Sequence, residues 1–260
     1  MMISESDRKE LQCAKYLLEN PGMAIKIANI LGTPIEKGVN RLPENWRGKI
    51  GEVTKIALLK ASEAALFTIK DNPGEESSNK WHKVGVALSG GIGGFFGLAA
   101  LAIELPISTT IMLRSIAEIA RSYGESITST ETKLACLEVF AFGGNSKSDD
   151  NSEHGYFAVR AFLSKSISEA AEFMIEKGLT EKSAPVLMKF IIKIAQRFGI
   201  QITEKAAAQA IPALGAAGGA LINTIFIGHF QDMAQGHFTV RKLERAYGKD
   251  IIKNLYSELP

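Results

Sequence analysis

The sequence predicts an all-α protein, a multi-helix bundle built around two glycine-rich apolar central helices. Three observations predict it. Apolar residues recur at three- and four-residue steps through most of the chain, the period of a helix with one buried face. No convincing run of alternating apolar and polar residues interrupts that pattern. Two long segments carry no formal charge: Val84 to Ile103 (VGVALSGGIGGFFGLAALAI, six of them glycine) and Ala206 to Gly228 (AAAQAIPALGAAGGALINTIFIG).

Taken in order, Arg8 to Glu19 reads as a short amphipathic helix stopped by Asn20-Pro21-Gly22. Ile50 to Lys70 gathers Val53, Ile56, Ala57, Ala61, Ala64 and Phe67 on one face and stops at Asp71-Asn72-Pro73-Gly74. A polar GEESSNK loop leads into the first uncharged run. Pro106 suits the first turn of a new helix, which continues to Tyr123 and meets Gly124 as its C-terminal cap. Thr130 to Phe142 is a further helix, and the polar loop GGNSKSDDNSEHG divides the chain near its middle. Tyr156 to Lys177 and Ser183 to Phe198 are amphipathic, the second through Val186, Leu187, Phe190, Ile191 and Ile194. The second uncharged run precedes a charged helix, a stop at Gly248 and one short terminal helix. Residues 1–260 read as one domain, with 1–75 as a looser N-terminal helical part.

Composition narrows the function classes. With 260 residues, 46% apolar and 22% charged, the chain can bury a full core. A net charge of +2 leaves no basic surplus to neutralise phosphates, so nucleic acid is not an expected partner. The opening MMISESDRKELQ has no apolar h-region, and no secretory signal is expected. Cys13 and Cys136 stand far apart without metal-ligand spacing, which points to free thiols in a reducing, cytoplasmic setting.

Both uncharged runs are long enough to cross a bilayer. Ser89, Gly93 and Gly97 fall four apart, as do Gly90 and Gly94, and Gly215 and Gly219. Small residues at that spacing expose a strip of backbone against which another helix packs closely, so the two runs are expected to pair like a hairpin. Three readings stay open: true membrane spans, buried central helices of a soluble bundle, or an amphitropic pair buried in solution and docked at a bilayer. The first run holds nine strongly apolar residues, worth only about −3 to −5 kcal/mol of insertion free energy. The second holds seven, set against Gln209, Pro212 and Asn223. Plain spanning is therefore the weakest of the three.

The block SGGIGGFFGLAALAIELPISTTIMLRSIAEIARSYGE resembles the EcsC family of bacterial proteins. The segment IPALGAAGGALINTIFIGHFQDMAQGHFTVRKLERAYG looks like that family's C-terminal signature, and CLEVFAFGG, from Cys136 to Gly144, fits as well. The resemblance covers about 81–248, the family core, with the N-terminal part looser. It implies a helical protein with a tendency toward membranes. The family's namesake is encoded beside the two subunits of an ABC exporter, and its molecular activity is not established. No catalytic residue carries over.

Glu104 closes the first run and is either at an aqueous mouth or buried with a cationic partner. Arg114 is the nearest candidate in sequence, and the two meet only if the chain turns at Pro106. A structural ion pair is the expected reading, with catalysis as the alternative. His229 and Asp232 share a helix face, with His237 and Glu244 close behind, a set that could seed a metal site but lacks any recognised spacing. No metal and no cofactor is expected. GVALSGG does not fit a nucleophile elbow, and GGIGGFFG does not fit a dinucleotide loop. Asn223, inside the second run, is expected to fix helix register through an interhelical hydrogen bond, or alternatively to contact a ligand between helices.

The expected function is non-enzymatic: an EcsC-type accessory protein on the cytoplasmic side of the inner membrane, docked or partly inserted, binding membrane lipid or a membrane-protein subunit of a transport system. Basic helix surfaces at Lys189, Lys193 and Arg197 would meet anionic headgroups. The alternative is a hydrolase or metal-assisted enzyme acting on lipid or peptide, with Glu104 or His229 as its polar centre.

Overall fold

Helices account for nearly all of the residues described by the computed structural model, which are 3–19, 22–31, 39–40, 42, 46–66, 98–144, 155–177, 185–209 and 215–260. In chain order they are α1 (Glu5–Glu19), α2 (Met23–Leu31), α3 (Trp46–Leu66), α4 (Leu98–Ser122) and α5 (Thr130–Glu138). A 3-10 turn (Val139–Ala141) extends α5, and α6 (Gly155–Lys177), α7 (Pro185–Gln209), α8 (Gly215–Tyr247) and α9 (Lys249–Glu258) follow. No strand occurs among the described residues. The all-α expectation holds.

α8 is the axis of the bundle. Ile222, Phe226, Phe230, Phe238 and Leu243 are buried on it, and so are Asn223, His229, Gln231 and His237. A helix buried over most of its circumference needs protein on most sides, and α1, α2, α4, α7, α9 and the 3-10 turn supply that cover. α3 lies along α4 and α7, and α6 packs on α7. At the centre, Phe140 of the 3-10 turn, Phe198 of α7 and Phe226 and Phe230 of α8 form one aromatic cluster, with neighbouring ring centroids 4.8 to 6.0 Å apart. Tilted and edge-on rings at that spacing gain quadrupole attraction beyond their buried area.

Local signals set several boundaries. Ser129 caps α5 by accepting from the Thr132 amide at 3.1 Å. Gly124 ends α4 with φ of 81°, where the Glu125 amide turns back to the Ala120 carbonyl. Gly248 takes φ of 96° between α8 and α9. At Gly236 an added Cβ would fall 2.6 Å from Leu18 Cγ and 3.0 Å from the Ala14 carbonyl, so this glycine lets α1 rest on the α8 backbone.

The structure corrects three expectations. Pro106 opens no new helix: it sits inside α4, which runs unbroken from Leu98 to Ser122. A proline there withholds one amide from the carbonyl four residues back. That residue, Ala102, is exposed, so water can satisfy its carbonyl, while Leu105, Ser108 and Thr109 hold the other face in the core. The second uncharged run is not one central helix. Its start, Ala206 to Gln209, is the end of α7, and from Gly215 onward it is the start of α8, which continues through the charged segment to Tyr247. The helix expected over Ser183 to Phe198 accordingly begins at Pro185 and extends to Gln209. Sequence reading also passed over α2, whose MAIKIANIL is short and apolar. Ser89, Gly90, Gly93, Gly94 and Gly97 lie outside the described residues, while Gly215 and Gly219 fall in the first turns of α8.

Candidate functional site

Glu104, Lys205 and Asn223 meet in the core where α4, α7 and α8 come together. Lys205 Nζ donates to Glu104 Oε1 at 2.5 Å, and Asn223 Nδ2 donates to the same oxygen at 3.2 Å. All three residues are buried. The Lys205 ammonium also lies 4.9 Å from the centroid of the Phe226 ring, whose face attracts a cation. A buried charge needs an opposite charge and hydrogen bonds to persist, and this arrangement supplies both. The cationic partner expected at Arg114 is therefore Lys205. Ten residues along an unbroken helix hold Glu104 and Arg114 about 15 Å apart, and Arg114 is exposed. Asn223 makes the interhelical bond expected of it, to Glu104 itself.

One helical stretch further along α8, His229 packs its ring flush against Gly143. Gly143 has φ of 73°, and a Cβ on it would fall 2.5 Å from His229 Nε2 and 3.0 Å from Met233 Sδ. The chain around this glycine is held from α7 as well: Gln201 Nε2 donates to the Phe142 carbonyl at 2.6 Å, and Arg197 Nε to the Ala141 carbonyl at 2.8 Å. Arg197 is thus turned onto the 3-10 turn rather than displayed with Lys189 on a basic surface. Lys193 leans over the Phe162 ring, 4.9 Å from its centroid. Neither ring nitrogen of His229 has a hydrogen-bond partner among the described residues. Burial, with the Lys26 charge nearby, pushes its pKa down to about 3.

The four residues that could seed a metal site are dispersed. Asp232 pairs with Lys26 of α2 at 3.0 Å, and Glu244 forms a fork with Arg160 of α6 at 2.6 and 3.1 Å. His237, about 12 Å along the helix from His229, is held by the Tyr156 hydroxyl at 2.8 Å through Nδ1. No group of three or more His, Cys, Asp or Glu placed to hold a metal occurs among the described residues.

Sequence reading missed the polar seam around His237. Glu138, the last residue of α5, is buried with Oε2 3.8 Å from His237 Nε2. Burial raises the Glu138 carboxyl to about 7, against the pull of Arg160 and Arg241. Alongside it Arg241 grips Glu125 at 2.8 and 3.1 Å, with Arg245 on the same carboxylate and the Thr132 hydroxyl donating at 2.9 Å. Glu125 is held below its usual range: burial opposes ionisation, but the two arginines and the hydroxyl outweigh it. Carboxylates on α5 (Glu138), on the α4–α5 connection (Glu125) and on α8 (Glu244) leave no spacing signal in the sequence.

A family model described as the EcsC protein family matches residues 23–243. The chain belongs to the EcsC family. The match starts ahead of the 81–248 core expected from motif resemblance, so α2 and α3 are part of the family's shared region while α1 and α9 flank it. No curated protein and no solved structure matches the chain. The Glu104 triad of this EcsC protein lies within the matched region, as do Glu125, Glu138, His237 and Arg241 of the seam, while Glu244 and Arg245 fall just beyond it. No helix among the described residues is long and apolar enough to cross a membrane.

Proposed function

We propose that this EcsC protein is a non-enzymatic docking protein for the cytoplasmic face of the inner membrane, engaging membrane lipid through the face of α4 at the close of the first uncharged run. The observation that carries this reading is the split character of α4 at the close of the first run. Glu104, Leu105, Ser108 and Thr109 are buried on one side, while Ile103 is 71% exposed and Ile107, on the same face one turn on, is 50% exposed. The Glu104–Asn223 bond sets the level at which α8 passes, and Leu221 there is 41% exposed. Branched apolar residues from both runs thus face solvent at one level of the bundle. Single exposed apolar residues are ordinary, but Ile103 and Ile107, neighbours on one helix face at the close of an uncharged run, support an interaction surface there.

The enzymatic alternative rests on Glu104 and His229. Both are occupied in packing, Glu104 by Lys205 and Asn223 and His229 by Gly143, which supports docking over catalysis.

Vesicle co-sedimentation tests the proposal, using the full chain with vesicles of phosphatidylglycerol and phosphatidylcholine, separately and mixed. The wild type is expected to sediment with vesicles, and the Ile103→Glu, Ile107→Glu double variant to lose most of that binding while keeping its helical circular dichroism. Absence of wild-type binding to every vesicle, or binding untouched by the double variant, would overturn it.

A further inference from the structure

We infer that Glu138, His237 and Tyr156 form a buried proton switch, in which one proton taken up from solvent at Glu138 reverses the hydrogen bonds of His237 and draws the end of α5 toward α8. The geometry of the three side chains is what points to it. Glu138 Oε2 and His237 Nε2 face each other at 3.8 Å, too far for a hydrogen bond and about 1 Å beyond one. Glu138 Oε1 and His237 Nε2 have no hydrogen-bond partner among the described residues, although both are buried. Buried polar atoms left unpaired are costly, so a second arrangement that pairs them is close in free energy. The far ring nitrogen, Nδ1, is already bonded to the Tyr156 hydroxyl at 2.8 Å, a group able to donate or accept.

Two states follow. With Glu138 ionised, Tyr156 donates to His237 Nδ1 and the imidazole carries its proton on Nε2, facing the carboxylate. With Glu138 protonated, its hydroxyl donates to Nε2, the imidazole proton moves to Nδ1, and His237 donates to the Tyr156 oxygen. The net change is one proton gained at the carboxyl, and the imidazole stays neutral in both. Burial, with Arg160 and Arg241 nearby, keeps His237 from becoming a cation.

The groups facing Glu138 set the balance. From α8 these are His237, Arg241 and Glu244, and from α6 they are Tyr156 and Arg160. Arg160 is bound to Glu244 and Arg241 to Glu125, so each arginine's pull on Glu138 is partly neutralised. Cys136, two residues away, is buried and stays a thiol. Burial then dominates, and the carboxyl titrates near 7. Because Glu138 leads directly into the 3-10 turn and the Ala141–Gly143 segment held by Arg197, Gln201 and His229, its movement is passed through the backbone to the α7–α8 interface.

Infrared and nitrogen NMR spectra of the full-length wild type between pH 5.5 and 8.5 test the switch. A protonated-carboxyl band is expected at pH 5.5 and lost by 8.5, with the His237 nitrogens exchanging acceptor and N–H character at the same midpoint. Glu138→Gln should abolish both changes. Tyr156→Phe, which keeps the ring packing, should move the midpoint by at least half a pH unit. A single His237 tautomer throughout, a band that survives Glu138→Gln, or a midpoint unmoved in Tyr156→Phe would overturn it.

Discussion

Glu104 and Lys205 stand 101 residues apart in the chain and meet at 2.5 Å in the core. Glu104 is the first charge after the first uncharged run, and Lys205 is the last charge before the second. The charges that bound the two runs are thus bound to each other, and Asn223 from within the second run joins them.

Removing one partner of that pair strands the other without water. Glu104→Ala or Lys205→Ala should each cost about 3–5 kcal/mol of folding free energy. The Glu104→Gln, Lys205→Met double variant keeps volume and removes both charges, and should recover most of the loss. Adding the Glu104→Gln and Lys205→Met single variants closes a double-mutant cycle, and denaturant unfolding of its four proteins gives the coupling. Additive single losses would show that the pair does not act as a unit.

Glycines should separate into two classes. Gly143→Ala forces a Cβ against His229 at a positive φ and should cost several kcal/mol, on the order of other strained core sites. Gly51, exposed within α3 with open space around it, should gain roughly 0.5–1 kcal/mol as alanine. Thermal melting of both variants checks this. Equal effects of one sign would contradict the packing at Gly143.

Stability should be greatest near neutral pH. His229 and His237 are neutral in the fold with pKa values below their ordinary 6.5, so the unfolded chain binds more protons and stability falls as pH drops below about 6.5. Glu138 acts oppositely: its pKa rises from 4.5 to about 7, and its contribution is lost as pH climbs through that window. Two histidines against one carboxyl give a net fall of stability toward acid below pH 6.5, on the order of 1 kcal/mol per pH unit. The slope steepens below 4.5, where Glu138 no longer offsets it. Denaturant titrations across pH measure it, and His229→Gln should flatten the acid limb.

The cysteines should differ in reactivity. Cys13 is exposed on α1, whereas Cys136 is buried and its thiol is pushed far up by loss of solvent. A maleimide should label Cys13 within minutes and Cys136 only in denaturant. Mass spectrometry after digestion distinguishes them. Rapid native labelling of Cys136 would mean that α5 opens readily.

Periodicity and punctuation alone determined the helical class, the stops at Gly124 and Gly248, and the polar character of Glu104 and Asn223. These are local properties: a helix face, a glycine cap or an isolated charge is written in adjacent residues. Only the tertiary structure decided the partners. Lys205 lies between the helix expected over Ser183 to Phe198 and the second uncharged run, yet it reaches Glu104 because α3 and α8 each pack against both α4 and α7. Pro106 looked like a helix start, and burial on either side of it carried α4 through. His237 and Glu138 gave no sequence signal as a pair, since the 98 residues between them must fold before an imidazole on α8 faces a carboxyl on α5. Long-range pairing depends on which apolar faces are buried together, and that choice is made by the whole core rather than by any segment.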